Sequence, residues 1–164
     1  MVEIWTDGAC QPNPGAGGWA WIARYGDGRE TKGFGAHPAT TNNRMELAAI
    51  LGALLSLVQG EVATVFTDSK ACIGWLQEGW KRNDPQIREA TQAIDVVVFE
   101  RALMIRYEFV KGHSGDEMNE RVDAIATAAA AGKRVIPEFP AVMSAAHFNE
   151  QRALALTPGL GSPP

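Results

Sequence analysis

The sequence predicts an α/β fold, a five-stranded mixed sheet flanked by helices. Three observations predict it. Stretches at 2–6, 19–25, 30–36, 62–67 and 103–110 read as strands, whereas 43–58, 69–78, 84–100 and 118–131 carry helical signals. The resulting order is β-β-β-α-β-α-α-β-α, and a strand that returns after a helix pairs most simply as a parallel crossover onto the first strand. Finally, 164 residues with 46% apolar content supply the core of one domain and no more.

Each element has its own local reason. Residues 2–6 (Val-Glu-Ile-Trp-Thr) alternate and run into Asp7-Gly8, and Gln-Pro-Asn-Pro-Gly-Ala-Gly-Gly at 11–18 reads as a turn-rich loop. Gly26-Asp27-Gly28 closes the hairpin 19–25/30–36, because Asp-Gly favours a tight turn. Met45, Leu47, Ala48, Leu51, Leu54, Leu55 and Val58 recur at helical spacing, and Gly60 follows as a stop. The apolar run at 62–67 ends at Asp68, before a short helix at 69–78. Asp84 as N-cap and Pro85 at the first helical position open a longer helix to about residue 100. Residues 103–110 alternate, Gly112-His113-Ser114-Gly115 form a loop, and an alanine-rich helix ends at Gly132. We therefore expect one domain over 1–132. Residues 133–164, interrupted by Pro137, Pro140, Pro158, Pro163 and Pro164, read as a C-terminal extension, a partly ordered tail or short helix (141–156) packing on the domain.

Composition excludes several classes. With 21% charged residues and a substantial apolar content, the chain is not generically disordered. Fifteen Lys and Arg against nineteen Asp and Glu give a net charge of −4, which by itself disfavours a nucleic-acid binder. Two cysteines, Cys10 and Cys72, make no disulfide framework and suggest a reducing compartment. The opening residues lack a basic region with an apolar run, and no stretch of about 18 apolar residues occurs, so neither a signal peptide nor a membrane span is expected. The expected location is cytoplasmic.

Four carboxylates occupy telling places. Asp7 follows the first strand and Asp68 the fourth, so adjacent parallel strands would bring them to one sheet end, where α/β ligand sites lie. Glu46 sits in the first turn of the helix at 43–58, beside Asn42, Asn43 and Arg44, and Asp123 lies early in the last helix. Each alone reads as a cap or a solvated charge. Clustered without basic partners, they repel one another until some protonate or a hard divalent cation binds. Two such ions about 4 Å apart can activate a water and stabilise a leaving 3′ oxygen at phosphorus.

The surrounding residues resemble a known family. Asp7-Gly8-Ala9-Cys10 with Asn13-Pro14-Gly15 and Gly17-Gly18 is similar to the opening of a type 1 ribonuclease H. Thr40-Thr41-Asn42-Asn43-Arg44-Met45-Glu46-Leu47, Thr67-Asp68-Ser69, and Val110-Lys111-Gly112-His113-Ser114-Gly115 with Asn119-Glu120-Arg121-Val122-Asp123 resemble its later blocks, in order. The resemblance spans roughly 2–131 and implies a ribonuclease H-like fold. It implies an endoribonuclease that hydrolyses the RNA strand of RNA/DNA hybrids and leaves 5′-phosphate and 3′-hydroxyl ends. Asp7, Glu46, Asp68 and Asp123 would ligate two Mg²⁺, with Mn²⁺ able to substitute. His113 would assist catalysis as a proton shuttle or in product release, which an imidazole suits. Cys10 (mainly through its backbone), Asn13, Asn42 and Asn43 would line the minor groove, where 2′-hydroxyls tell RNA from DNA. The plainer reading of an asparagine at that helix start is capping. Thr41 would belong to a phosphate pocket for the DNA strand, completed by Asn83. The expected assembly is a monomer. An alternative is a catalytically inactive binding module of the same fold, but such modules lose a carboxylate and all four are present.

The chain also departs from the family pattern. Where bacterial members carry a long basic protrusion, this chain has only Gly79-Trp80-Lys81-Arg82-Asn83-Asp84-Pro85. Trp80 is a candidate to stack on the DNA strand or to pack against the fold. Ala39 stands where an arginine often helps hold phosphate. We expect weak hybrid affinity with a shallow salt dependence.

Overall fold

A computed structural model describes residues 1–112 and 115–132. The predicted extension at 133–164 and the loop residues His113 and Ser114 lie outside the described residues. Strands β1 (Val2–Cys10), β2 (Gly15–Tyr25) and β3 (Glu30–Thr40) form an antiparallel meander. Helix α1 (Asn42–Ser56) crosses back so that β4 (Val62–Thr67) pairs parallel to β1, from Val2↔Ala63 to Trp5↔Phe66. After helices α2 (Lys70–Leu76) and α3 (Pro85–Glu100), β5 (Met104–Phe109) adds parallel to β4. The sheet order is β3-β2-β1-β4-β5, and helix α4 (Glu117–Ala130) completes the described fold.

The helices cover both faces. A core of Ile4, Trp19, Trp21, Val65 and the length of α1 packs with α3 on one face. On the other, α4 packs Met118, Val122, Ala126 and Ala129 against Trp5, Ala20, Ile22 and Phe34. At Gly18 the backbone of α4 lies where a Cβ would be, against the carbonyl of Ala126 and the amide of Ala130. That glycine permits helix and strand to touch backbone to backbone.

The element order holds, with four differences of extent. Strand β1 continues through Asp7 to Cys10, because β2 begins at Gly15 and its glycines keep the ladder as far as Cys10↔Gly17. Part of the expected loop is therefore strand. Helix α1 is buried all round from Met45 to Leu55 rather than along one stripe, since α3 covers its far side. Val58, read as part of its apolar face, lies past the helix end and is exposed. Asn42 is not a cap: Thr41 takes the N-cap position without a side-chain cap bond, and Asn42 is the first helical residue.

Between α2 and α3 the chain is short but well tied. Gln77 Nε2 donates to the carbonyl of Tyr107 (3.2 Å), and the amide of Tyr107 donates to Gln77 Oε1 (3.0 Å). A side-chain amide thus mimics a neighbouring strand along the outer edge of β5. Arg82 donates to Asp95 Oδ2 and to the carbonyl of Trp75, both at 2.7 Å. Asp84 caps α3 as expected, its Oδ1 accepting from the Gln86 amide at 2.7 Å, with Pro85 first in the helix.

Candidate active site

Three elements converge where the β1/β4 ladder ends. Beyond Trp5↔Phe66 the two strands part, Asp7 lying two residues further along β1 and Asp68 directly after β4. Glu46 comes from the second turn of α1, which sits against β1 because Gly8 has no side chain. A Cβ there would run into the backbone of Met45 and Glu46. One carboxylate oxygen from each of Asp7, Glu46 and Asp68 lies within 4.8 Å of the others. Asp123, on α4, lines the same pocket of about 600 Å³ but stands outside that tight triplet.

At Asp7 and Glu46 the electrostatics are those of buried acids crowded by like charge. Burial first, then the charges of Asp68 and Asp123 and a side-chain hydrogen bond with Asp123, push the Asp7 carboxyl up to about 8, against a smaller opposing bond from the Gly8 amide. Glu46 is raised well above the usual carboxylate range by burial, then by Asp7 and Asp68. Asn42 Nδ2 donates to Glu46 Oε1 at 3.4 Å, whereas Glu46 Oε2 is buried with no hydrogen-bond partner among the described residues. An oxygen-only donor set with a buried, unpaired lone-pair donor fits a hard divalent cation. The Cys72 thiol behind the cluster is pushed up to about 12, first by burial and then by Glu46, so no soft thiolate competes there.

The remaining predicted residues divide into two groups. Cys10 and Asn42 line the pocket with the acids. The Cys10 side chain is turned inward, its thiol near the carbonyls of Pro12, Gly15 and Thr40 at 3.4, 3.6 and 3.5 Å, leaving its backbone to face the pocket. Asn13 Oδ1 accepts the Asn42 amide at 3.1 Å and so ties the β1–β2 loop to the start of α1. Asn43 is exposed beside Asn42. Thr41 lies at the α1 N-cap, while exposed Asn83 and Trp80 lie in the α2–α3 connection. Arg82, counted in the short basic run, is engaged by Asp95 and Trp75. His113 lies outside the described residues.

Sequence reasoning missed the glycines that let these side chains meet. Besides Gly8, a Cβ on Gly112 would strike Asp68 Oδ2, so the chain after β5 passes directly over that carboxylate. The sequence shows Asp7-Gly8 only as the pair at the end of the expected strand, and nothing local to it shows that α1 packs there.

Comparison with known proteins agrees with this geometry. The RNase H family model matches residues 1–131. A ribonuclease H of Hyphomonas neptunium is 42% identical over 137 residues, covering 77% of this chain and 89% of the relative. One from Acidiphilium cryptum is 44% identical over 140 residues, covering 79% and 86%. Among solved structures, RNase H1 of the archaeon Halobacterium salinarum superposes with a TM-score of 0.69 at 26% identity, covering 80% of this chain and 98% of that one. LC11-RNase H1 in complex with an RNA/DNA hybrid superposes at 0.70 with 24% identity, covering 80% and 98%, a likeness of fold. With the sheet order, the acidic pocket and these relatives in agreement, the chain belongs to the ribonuclease H family and is a nuclease, a hydrolase of that family.

Proposed function

We propose that this protein hydrolyses the RNA strand of RNA/DNA hybrids and acts as a monomer in the cytoplasm. The single observation that carries the chemistry is the Asp7–Glu46–Asp68 triplet, within 4.8 Å, with the Glu46 Oε2 atom buried and unpaired. Asp7, Glu46, Asp68 and Asp123 would hold two Mg²⁺, for which Mn²⁺ could substitute. When bound, the ions supply Lewis acidity at the scissile phosphate and lower the pKa of water.

The chain's own groups do the rest. Asp68, beside the backbone at Gly112, orients a water for in-line attack at phosphorus. The P–O bond to the 3′ oxygen breaks as the new P–O bond forms, giving 5′-phosphate and 3′-hydroxyl ends. Asn42 fixes the rotamer of Glu46 and, with Asn13, Asn43 and the Cys10 backbone, presents polar groups to the minor groove, where 2′-hydroxyls are read. Thr41 and Asn83 contact DNA-strand phosphate. His113 takes or gives a proton near the leaving group.

The test is cleavage of labelled RNA annealed to DNA, with Mg²⁺ or Mn²⁺ and with chelator, against single-stranded RNA, double-stranded RNA and double-stranded DNA. Cleavage confined to the hybrid and abolished by chelator is expected. No hybrid cleavage, or undiminished activity in Asp68→Asn, overturns the proposal.

A further inference from the structure

Trp80 is an unusual surface residue. It is half exposed (50%), whereas Trp5, Trp19 and Trp21 are buried and Trp75 is partly buried. Its inner face is seated on one residue, Gly74 of α2. A Cβ built on Gly74 would lie 2.5 Å from Cε2 and Cε3 of the indole and closer still to Cδ2, around the bond its two rings share. The Trp80 amide donates to the Gly74 carbonyl at 2.8 Å, so backbone and ring are fixed to the same residue. Gly79 makes the return possible, holding φ +73, a left-handed backbone disfavoured for other residues. On either side the ledge is braced: Gln77 is clamped to β5, and Arg82 to Asp95 and the Trp75 carbonyl. Arg88 donates to the carbonyls of Arg82 and Asn83.

We propose that Gly74 is a positioning residue, a side-chain-free pedestal that presents the outer face of Trp80 as a rigid stacking ledge for the nucleic acid. The inference rests on the hybrid-cleavage reading for its ligand and on the Gly74–Trp80 contact for its geometry. Gly74 lies six residues after Asp68, on the helix that directly follows it. A flat ring with one face packed and one open has no preference among bases, and it needs no cation. That suits a chain whose basic protrusion is short. The ring pre-organised on backbone loses little entropy on contact.

Four proteins test this: wild type, Gly74→Ala, Trp80→Ala and the double variant. Alanine is the better helix former, so a role confined to α2 predicts an equal or higher Tm for Gly74→Ala and an unchanged KM. The pedestal predicts that Gly74→Ala raises KM for the hybrid at least fivefold, as Trp80→Ala does, with kcat changed less than twofold. The double variant should match Trp80→Ala within twofold, because removing the ring frees the space the methyl needs. Without substrate, acrylamide quenching of tryptophan emission should increase in Gly74→Ala as the ring leaves its seat. Should Gly74→Ala not fold, the double variant should recover folding.

An unchanged KM in Trp80→Ala, beside normal cleavage by the wild type, overturns the ledge and leaves the hydrolase reading standing. Unchanged quenching in Gly74→Ala, or multiplying effects in the double variant, overturns the pedestal. If the wild type does not cleave hybrid, the hydrolase reading fails and the quenching experiment still decides the pedestal.

Discussion

Replacing Asp7 with asparagine should make the metal-free protein more stable while abolishing its activity. Asp7 is 5% exposed, faces Asp68 and Asp123, and has no lysine or arginine beside it in its pocket among the described residues. Its carboxyl titrates near 8 in the fold against an ordinary 3.8. Between those values the folded state holds a proton that the unfolded chain has released. Stability therefore falls as pH rises through that window and is flat above it. Four decades of proton affinity at about 1.4 kcal/mol each set a ceiling of about 6 kcal/mol. With an effective interior dielectric of about 20, about 2 kcal/mol should survive.

For a domain of this size that is a rise in Tm of about 4–8 °C. The assay is thermal unfolding by circular dichroism in chelator at pH 5 and pH 8.5, wild type against Asp7→Asn. The gain should be larger at pH 8.5, and titrating Mg²⁺ should stabilise the wild type more than the variant, since a cation relieves the same repulsion. An equal or lower Tm for the variant at pH 8.5, or a gain that is larger at pH 5, refutes the account of Asp7 as a buried acid crowded by like charge.

Other consequences follow from particular contacts. Gly18→Ala should cost about 2 kcal/mol, because a methyl would separate β2 from the α4 backbone; an unchanged Tm would refute that close approach. Gln77→Ala should cost about 1 kcal/mol of stability, seen as a lower urea midpoint at unchanged slope, through two lost bonds to Tyr107, and no shift would show that the edge clamp carries no stability. Arg24, Arg29, Arg82, Arg106 and Arg121 each stand in an ion pair, so five of the fifteen Lys and Arg are less available to phosphates. The slope of log affinity against log salt should be about −3, and a slope beyond about −6 would refute a weakly basic interface.

What was legible in the sequence was the order of elements and the acids. Strand and helix periods differ enough to be read wherever one face is buried, which served β4, α3 and α4. They served α1 less well, since a helix enclosed by sheet and α3 has no polar face to set its limits, and Val58 was counted inside. Gly15, Gly17 and Gly18 read as a loop because glycine is a turn signal, yet here they are strand residues against Cys10, Ala9 and α4. Capping was the plainer of two readings of Asn42, but its amide is taken by Asn13 and its side chain by Glu46, an arrangement no local rule contains. Arg82 stands in the sequence as one of two basic residues in the shortened 79–85 region, and only the fold shows that it pairs with Asp95 thirteen residues on.

The same contrast explains how four acids can be held together at all. A lysine or arginine paired to every acid would take the place of the cation the site must bind. Restraint from groups without charge avoids that competition, and backbone is the stiffest available. Gly8 lets the backbone of α1 press on β1, and Gly112 lets the chain after β5 pass over Asp68. The Asn42 amide and the Gly8 amide then stabilise the ionised forms without supplying a counter-charge. A methyl at Gly8 would push the α1 backbone off β1 and cost the fold as well as activity, whereas a methyl at Gly112 should cost activity before it costs the fold. Gly112→Ala is the sharper case, because it lies in a loop and need disturb only Asp68. We expect kcat with saturating metal to fall at least tenfold with Tm within about 2 °C of wild type. Equal losses of Tm and kcat would mean that the glycine serves the fold as a whole and not the placement of one carboxylate.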